Sequence, residues 1–193
     1  MCGYIGFTNK IKDPATVLEN MKESIRHRGP DSDGSYIDDD ICMGFRRLSI
    51  IDLDEGDQPL FNEDKSLVLT FNGEIYNYKI LRAELEKSGH VFSTHSDSEV
   101  LLHGYEQYGR ELVTKLRGMF SFVIWDKNSK TLFGARDMFG IKPLYYAEMD
   151  GTFMYGSEIK AFLYHPSFKK ELNEQALAHY LSFQYSPLEE TFF

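Results

Sequence analysis

Apolar positions along the chain change period several times, and the changes mark its elements. After Asp13, the residues Val17, Leu18, Met21 and Ile25 fall on one face of a 3.6-residue helix. Asp13 and Pro14 suit its N-cap and first turn, and Gly29 and Pro30 of "RHRGPD" stop it. A second helix is predicted from about Asn77 to Glu86, with Tyr78, Leu81 and Leu85 inward and Gly89 beyond its end. A third lies in "SDSEVLLHGYEQYG", capped by Ser96 or Asp97 and ended by Gly109, and "ELVTKLRG" makes a short fourth. Around these helices, "YIGFT", "CMGFRRLSII", "LVLTFN", "FSFVIWD", "TLFGARD", "PLYYAEM" and "TFMYGS" are rich in aromatic and β-branched residues and read as strands. "VIWDKNSKTLFGA" reads as a hairpin, and the nearly all-apolar "FSFVIW" fits a strand covered on both faces. The prediction is a layered domain of strands bracketed by helices. Near the end, Leu177, Tyr180 and Leu181 group on a short amphipathic helix that runs into an apolar stretch with no stop signal. That ending suggests a chain cut from something longer.

Composition narrows the class. With 193 residues, 42% apolar and 15% aromatic, there is chain enough for one well-buried domain and a short extension. A formal net charge of −9, spread along the chain, argues against a nucleic-acid partner. No apolar run reaches the ~20 residues a membrane helix needs, and the N-terminus lacks the pattern of a secretory signal. The reading is cytoplasmic, with no membrane partner. Cys2 and Cys42 alone cannot build a metal site and no CxxC or HExxH spacing occurs, so no metal ligands are assigned.

Candidate chemistry centres on Cys2. If Met1 is removed, one residue carries a thiol and a free α-amine, and such an amine titrates near about 7.7–8.0, where it can accept the thiol proton. Taken alone, a cysteine near a terminus is more often a small buried hydrophobe. In "TFNGEIYNY", Asn72 has a side-chain amide and Gly73 an open backbone N–H, the two kinds of donor an oxyanion needs. Asn-Gly is equally a hairpin signal, but no second matching strand follows it before the helix. Arg47 in a strand-like stretch needs a carboxylate, internal or from a ligand. Glu74 and Asp97 are carboxylates able to hold an ammonium group, although Asp97 is as well explained as a helix cap.

Cys2-Gly3, "RHRGPDSDG" at 26–34, "RLSI" at 47–50, "FNGEIYN" at 71–77, "SDSEV" at 96–100 and "RDMFGIKPLYY" at 136–146 occur in the order found in glutamine amidotransferases of the N-terminal-nucleophile type. The sequence resembles most the glutaminase domain of glutamine-hydrolysing asparagine synthetases, over residues 2–165. That resemblance implies an α+β fold, a four-layer α/β/β/α sandwich of the N-terminal-nucleophile hydrolase type. It implies Cys2 as nucleophile with its α-amine as base, and Asn72 with the Gly73 amide as oxyanion hole. Arg47 would meet the α-carboxylate of L-glutamine, Glu74 and Asp97 its α-ammonium, and Leu48, Ser49 and Ile50 its side-chain amide. Arg26, Arg28 and Asp31 are assigned to holding the site together.

No cofactor is implied for this chain. ATP and Mg are expected only in a synthetase domain, to which residues 166–193 would lead as linker and start, and which would be the partner in cis. Pairing of two copies stays open. Two rivals stay open as well: the glutaminase half of another amidotransferase or an amidase with another substrate, and a non-catalytic glutamine-binding module.

Overall fold

The computed structural model describes residues 1–8, 11–48 and 57–192. Strand β1 (Gly3–Thr8) leads to helix α1 (Pro14–Ser24) and a 3₁₀ turn at Arg26–Arg28. Strands β2 (Ser32–Ile37), β3 (Ile41–Arg47), β4 (Leu60–Phe61) and β5 (Leu67–Ile75) follow. Helices α2 (Tyr78–Lys87), α3 (Glu99–Tyr108) and α4 (Leu112–Lys115) come next. They precede β6 (Gly118–Asp126), β7 (Thr131–Arg136), β8 (Tyr145–Met149), β9 (Thr152–Gly156) and α5 (Glu174–Phe183). Among the described residues the strands form two sheets, ordered β2-β3-β1-β9-β8 and β4-β5-β6-β7, with every pairing antiparallel.

Strand alternation decides how the layers stack. Ile5, Phe7, Cys42 and Met154 of the first sheet turn to Leu18, Met21 and Ile25 of α1 and its extension. Leu67, Leu69, Phe71, Phe122 and Ile124 of the second turn to Leu81 and Leu85 of α2 and to Val100 and Leu101 of α3. The opposite faces, with Tyr4, Met43, Phe45, Val68, Val123, Trp125 and Tyr155, meet each other. The result is helix, sheet, sheet, helix: the four-layer sandwich expected. Each large apolar side chain buried at these seams contributes roughly 1.5–3 kcal/mol. β6, between β5 and β7 and apolar on both faces, is the doubly covered strand predicted from "FSFVIW".

Several boundaries differ from the sequence reading. β2 was not expected, because "SDGSYI" has little β propensity and alternates only between exposed and half-exposed; it forms by pairing along the edge of β3. The two-residue β4 was also not expected. β5 runs through Asn72-Gly73 to Ile75, because β6 pairs with it over its whole length, from Leu67↔Asp126 to Ile75↔Gly118. Helix α3 starts at Glu99 with Ser98 at its cap, so neither Ser96 nor Asp97 caps it.

Candidate active site

Side-chain parity brings the candidate residues to one end of the cleft between the sheets. Cys2 precedes Tyr4 by two, Arg47 follows Phe45 by two, and Asn72 and Glu74 continue the face of Val68, so all four belong to the faces that meet. Two contacts fix the register of the sheets. Trp125 Nε1–H donates to Asp38 Oδ2 at 2.9 Å, tying the start of β3 to the Val68 end of β5. The Tyr4 and Ser121 hydroxyls hydrogen-bond across the seam, and Ser121 is the cross-strand neighbour of Asn72. The opposite ends, Cys2 with Arg47 and Asn72 with Glu74, therefore share the far mouth. Gln58 ties them further: its amide both donates to Phe71 O (3.1 Å) and accepts from Phe71 N (2.6 Å), while the adjacent Asp57 pairs with Arg47 (3.2 Å).

Cys2 is held by backbone and by the "RHRGPDSDG" segment. Its Sγ lies 3.4 Å from Leu48 N and 3.8 Å from Leu48 O, and its carbonyl accepts from Arg28 Nε at 3.1 Å. Arg28 also pairs with Glu158 at 3.1 Å, and Glu158 sits just beyond β9, where Ser157 exchanges bonds with the Tyr4 backbone. Gly29 is forced by approach: a Cβ there would lie 2.4 Å from Arg46 C and 2.5 Å from Arg47 N. Asp31 N then donates to Arg47 O at 3.1 Å. Asp33, which bonds Lys22 and lies 3.5 Å from Arg46, has its carboxyl held low chiefly by the Lys22 bond. The two ends of the segment thus clamp the start of β1 and the end of β3.

The facing strand is electrostatically unbalanced. Asn72 is buried, and its Nδ2 has no hydrogen-bond partner among the described residues. Asp97 Oδ2 accepts from Ile75 N at 2.7 Å, next to Glu74. Burial pushes the Asp97 carboxyl up, the Ile75 N–H opposes this, and the nearby Glu74 charge pushes it further. A cation between the two carboxylates would relieve that repulsion. Gly73 lies against β6, where a Cβ would come within 2.3 Å of Met119 O.

The structure thus gathers Cys2, Arg47, Leu48, Asn72, Gly73, Glu74 and Asp97 around one mouth. Ser49 and Ile50 lie outside the described residues. Arg28 and Asp31 touch this end, whereas Arg26 is on the surface and pairs with exposed Glu23 at 3.3 Å, so its assignment to the site is corrected. Sequence reading missed Gln58, Ser121, Ser157 and Glu158. Their partners lie on other elements, in the case of Glu158 and Arg28 130 residues away, and no local pattern signals such pairs.

A profile of the glutamine amidotransferase domain matches residues 1–193. This chain belongs to the glutamine amidotransferase family. As a glutamine amidotransferase domain it is 48% identical over 192 residues to asparagine synthetase [glutamine-hydrolyzing] 1 of Bacillus subtilis, covering 97% of this chain and 30% of that protein. It is 45% identical over 166 residues to the asparagine synthetase [glutamine-hydrolyzing] of Zea mays, covering 83% of this chain and 28% of that one. The chain therefore spans under a third of the length of these relatives. Among solved structures, glutamine phosphoribosylpyrophosphate amidotransferase from B. subtilis shares the fold with a TM-score of 0.69 at 24% identity, over 83% of this chain and 43% of that one. A second, the allosteric regulatory enzyme of purine biosynthesis, has a TM-score of 0.72 at 24% identity, over 84% of this chain and 43% of that one. The four-layer sandwich expected from the sequence is thus the fold of these amidotransferase structures. Among the described residues no helix is long and apolar enough to cross a membrane.

Proposed function

We propose that this domain hydrolyses L-glutamine to L-glutamate and ammonia, with Cys2 as nucleophile once Met1 has been removed. The observation that carries the reading is the buried Asn72 Nδ2, without a hydrogen-bond partner among the described residues, at the mouth shared with Cys2. A buried amide donor without an acceptor costs free energy and finds its acceptor when negative charge develops on a bound carbonyl.

The steps follow from the groups present. The Cys2 α-amine takes the thiol proton, and Sγ attacks the glutamine side-chain carbonyl carbon. The C=O electron pair moves to oxygen, which Asn72 Nδ2 and the Gly73 N–H receive. Collapse breaks the C–N bond, and the ammonium formed on the α-amine protonates the leaving nitrogen, releasing ammonia and a thioester. Water, deprotonated by the amine, then attacks the thioester, and Sγ leaves with the proton returned. Arg47 holds the substrate α-carboxylate, while Glu74 and Asp97 hold its ammonium. Backbone at Leu48 to Ile50 lines the side-chain amide. The balance needs no metal or organic cofactor.

We further infer that the ammonia supplies asparagine synthesis in a longer protein, with ATP and Mg bound by a synthetase domain in cis. The names and lengths of the relatives above support that reading. The test is an intact mass after treatment with a glutamine-shaped chloroketone. One adduct on Cys2 is expected, in material lacking Met1, with Cys42 untouched. Cys42 is fully buried, and burial pushes its thiol up to about 12. Full glutaminase activity in material that retains Met1 would overturn the mechanism.

A further inference from the structure

A second cluster of ligating groups lies on the far side of the β4-β5-β6-β7 sheet, in its helical layer. His103 and Glu106 are one turn apart on α3, and His90 stands in the loop after α2. One ligand atom from each of the three lies within 4.8 Å of the others. His103 Nδ1 is 3.1 Å and His90 Nδ1 3.4 Å from Glu106 Oε2, and Glu63 Oε1 comes within 3.8 Å of His103 Nδ1. Ligand atoms around a tetrahedral zinc are about 3.3 Å apart, as bonds of about 2.0–2.1 Å require.

What surrounds these atoms has the form of an outer shell. Gln107 Oε1 can only accept, so His90 Nε2, at 3.2 Å, donates to it, which orients the ring with Nδ1 toward Glu106. Glu99 Oε1 lies 3.5 Å from His103 Nε2 without hydrogen-bonding it, and Glu99 is itself held by Ser93 N and Thr94 N, each at 2.7 Å. Asn62 Nδ2 donates to the other oxygen of Glu106 at 2.7 Å. His90 thus has an amide oxygen behind it and the Glu106 carboxylate is oriented by an amide, as metal ligands are, while His103 Nε2 makes no hydrogen bond among the described residues. His103 is almost fully buried against the edge of the Phe92 ring, so its orientation is fixed. Without an ion His103 Nδ1 donates to Glu106 Oε2, and the two imidazole nitrogens and the carboxylate oxygen converge on one point as a donor set for a divalent cation, which would take the place of that proton.

We propose that His90, His103 and Glu106, with Glu63 as fourth ligand, bind a divalent transition metal of the zinc class. An imidazole and carboxylate set suits such ions. The site bridges the loop after β4, the end of α2 and α3, and sits in a different layer from Cys2. It departs from the sequence reading, which assigned no metal ligands because the spacing fits no local motif.

The test is titration of the purified chain with zinc, after Cys2 is capped by iodoacetamide, read by competition with a chromophoric chelator. Cobalt is then substituted and its visible spectrum recorded. One equivalent of zinc is expected, and a tetrahedral cobalt spectrum. His90→Gln should weaken zinc binding by more than the roughly 10- to 100-fold that losing an outer-shell partner costs, and Gln107→Ala should fall within that range. His90 is half-buried and Gln107 exposed, so uncapped samples of each variant should keep parental circular dichroism and glutamine hydrolysis. Failure of the folded parent chain to take up zinc, or uptake unchanged in both His90→Gln and Glu106→Gln, would overturn the proposal. Neither result would bear on the Cys2 chemistry.

Discussion

Replacing Asn72 with alanine separates chemistry from stability. In the native chain Asn72 is 4% exposed and its Nδ2 has no hydrogen-bond partner among the described residues. Leaving such a donor unsatisfied costs about 1–3 kcal/mol, which offsets the packing lost on truncation, so the unfolding free energy should change by less than about 1 kcal/mol. The same amide, aimed at a developing oxyanion, is worth about 10²–10³ in rate, or about 2.7–4 kcal/mol of transition-state stabilisation. The contact is made chiefly in the transition state, so kcat should fall while KM stays close to the parent value. Initial rates of glutamate formation and urea unfolding of the same preparation test both halves. A kcat equal to that of the parent would refute the reasoning. So would a loss of activity that tracks a comparable loss of stability, because Asn72 would then be part of the scaffold.

Gly29→Ala should do the reverse, since its Cβ would meet the Arg46 and Arg47 backbone at 2.4–2.5 Å. Overpacking of that kind costs about 1–3 kcal/mol or more, so activity and urea midpoint should fall together, and a parental midpoint would refute the clamp. Asp97→Asn keeps an oxygen for Ile75 N and removes a charge that burial and Glu74 disfavour. The folded carboxyl titrates above its usual range, so the native state loses stability as pH rises through that interval. The variant should therefore have a higher urea midpoint at neutral pH and a much higher KM for glutamine, and a lower midpoint would contradict this. His165 is buried, its Nδ1 accepts from Ser167 N at 3.2 Å, and burial pushes it below its ordinary value of 6.5. The unfolded chain then takes the proton first, and stability falls as pH drops from 6.5 towards the folded value. That slope should flatten in His165→Gln, and an identical slope would place its origin elsewhere.

Where local pattern and tertiary pairing agree, the sequence was legible. Leu18 and Met21 of α1, Leu81 and Leu85 of α2, and the strand from Phe120 to Trp125 are buried as periodicity predicts. Asp13 caps α1 as read, its Oδ1 accepting from Thr16 N at 3.4 Å. Reading failed where a partner strand decides. The turn reading of Asn72-Gly73 was rightly set aside, but the strand read as ending at Asn72 continues to Ile75, because β6 offers Ser121 and Phe120 as neighbours. Asn77 does stand at the start of α2, as read; what the sequence did not signal is that its side chain donates to Lys115 O (2.9 Å) and accepts from Arg117 N (2.8 Å), fastening the approach to β6 instead of capping the helix. Asp97 shows the limit most clearly. Cap and ligand readings use the same carboxylate; Ser98 takes the cap position and the Asp97 carboxylate turns to Ile75 N, while its ligand role belongs to the proposed function.

The arrangement of charge around the mouth explains why the register of the two sheets controls this site. Arg47 and Cys2 stand on the first sheet, while Asn72 and Glu74 stand on the second, with Asp97 fastened to its end. On the proposed assignment, a zwitterion spanning that gap would be held by its carboxylate from one sheet and by its ammonium from the other. A slip of one sheet along the other by a single residue, about 3.3 Å, would move the oxyanion donors away from Sγ by more than a bond length. Local backbone geometry cannot prevent this, because strand pairing acts within each sheet and not between them. The buried Tyr4–Ser121 hydrogen bond and the Trp125–Asp38 bond do act between them, one near the nucleophile and one at the far end of the seam. Two such contacts fix both position and angle. Stiffness of the seam and precision of the chemistry are therefore one property, and loosening either contact should cost rate before it costs fold.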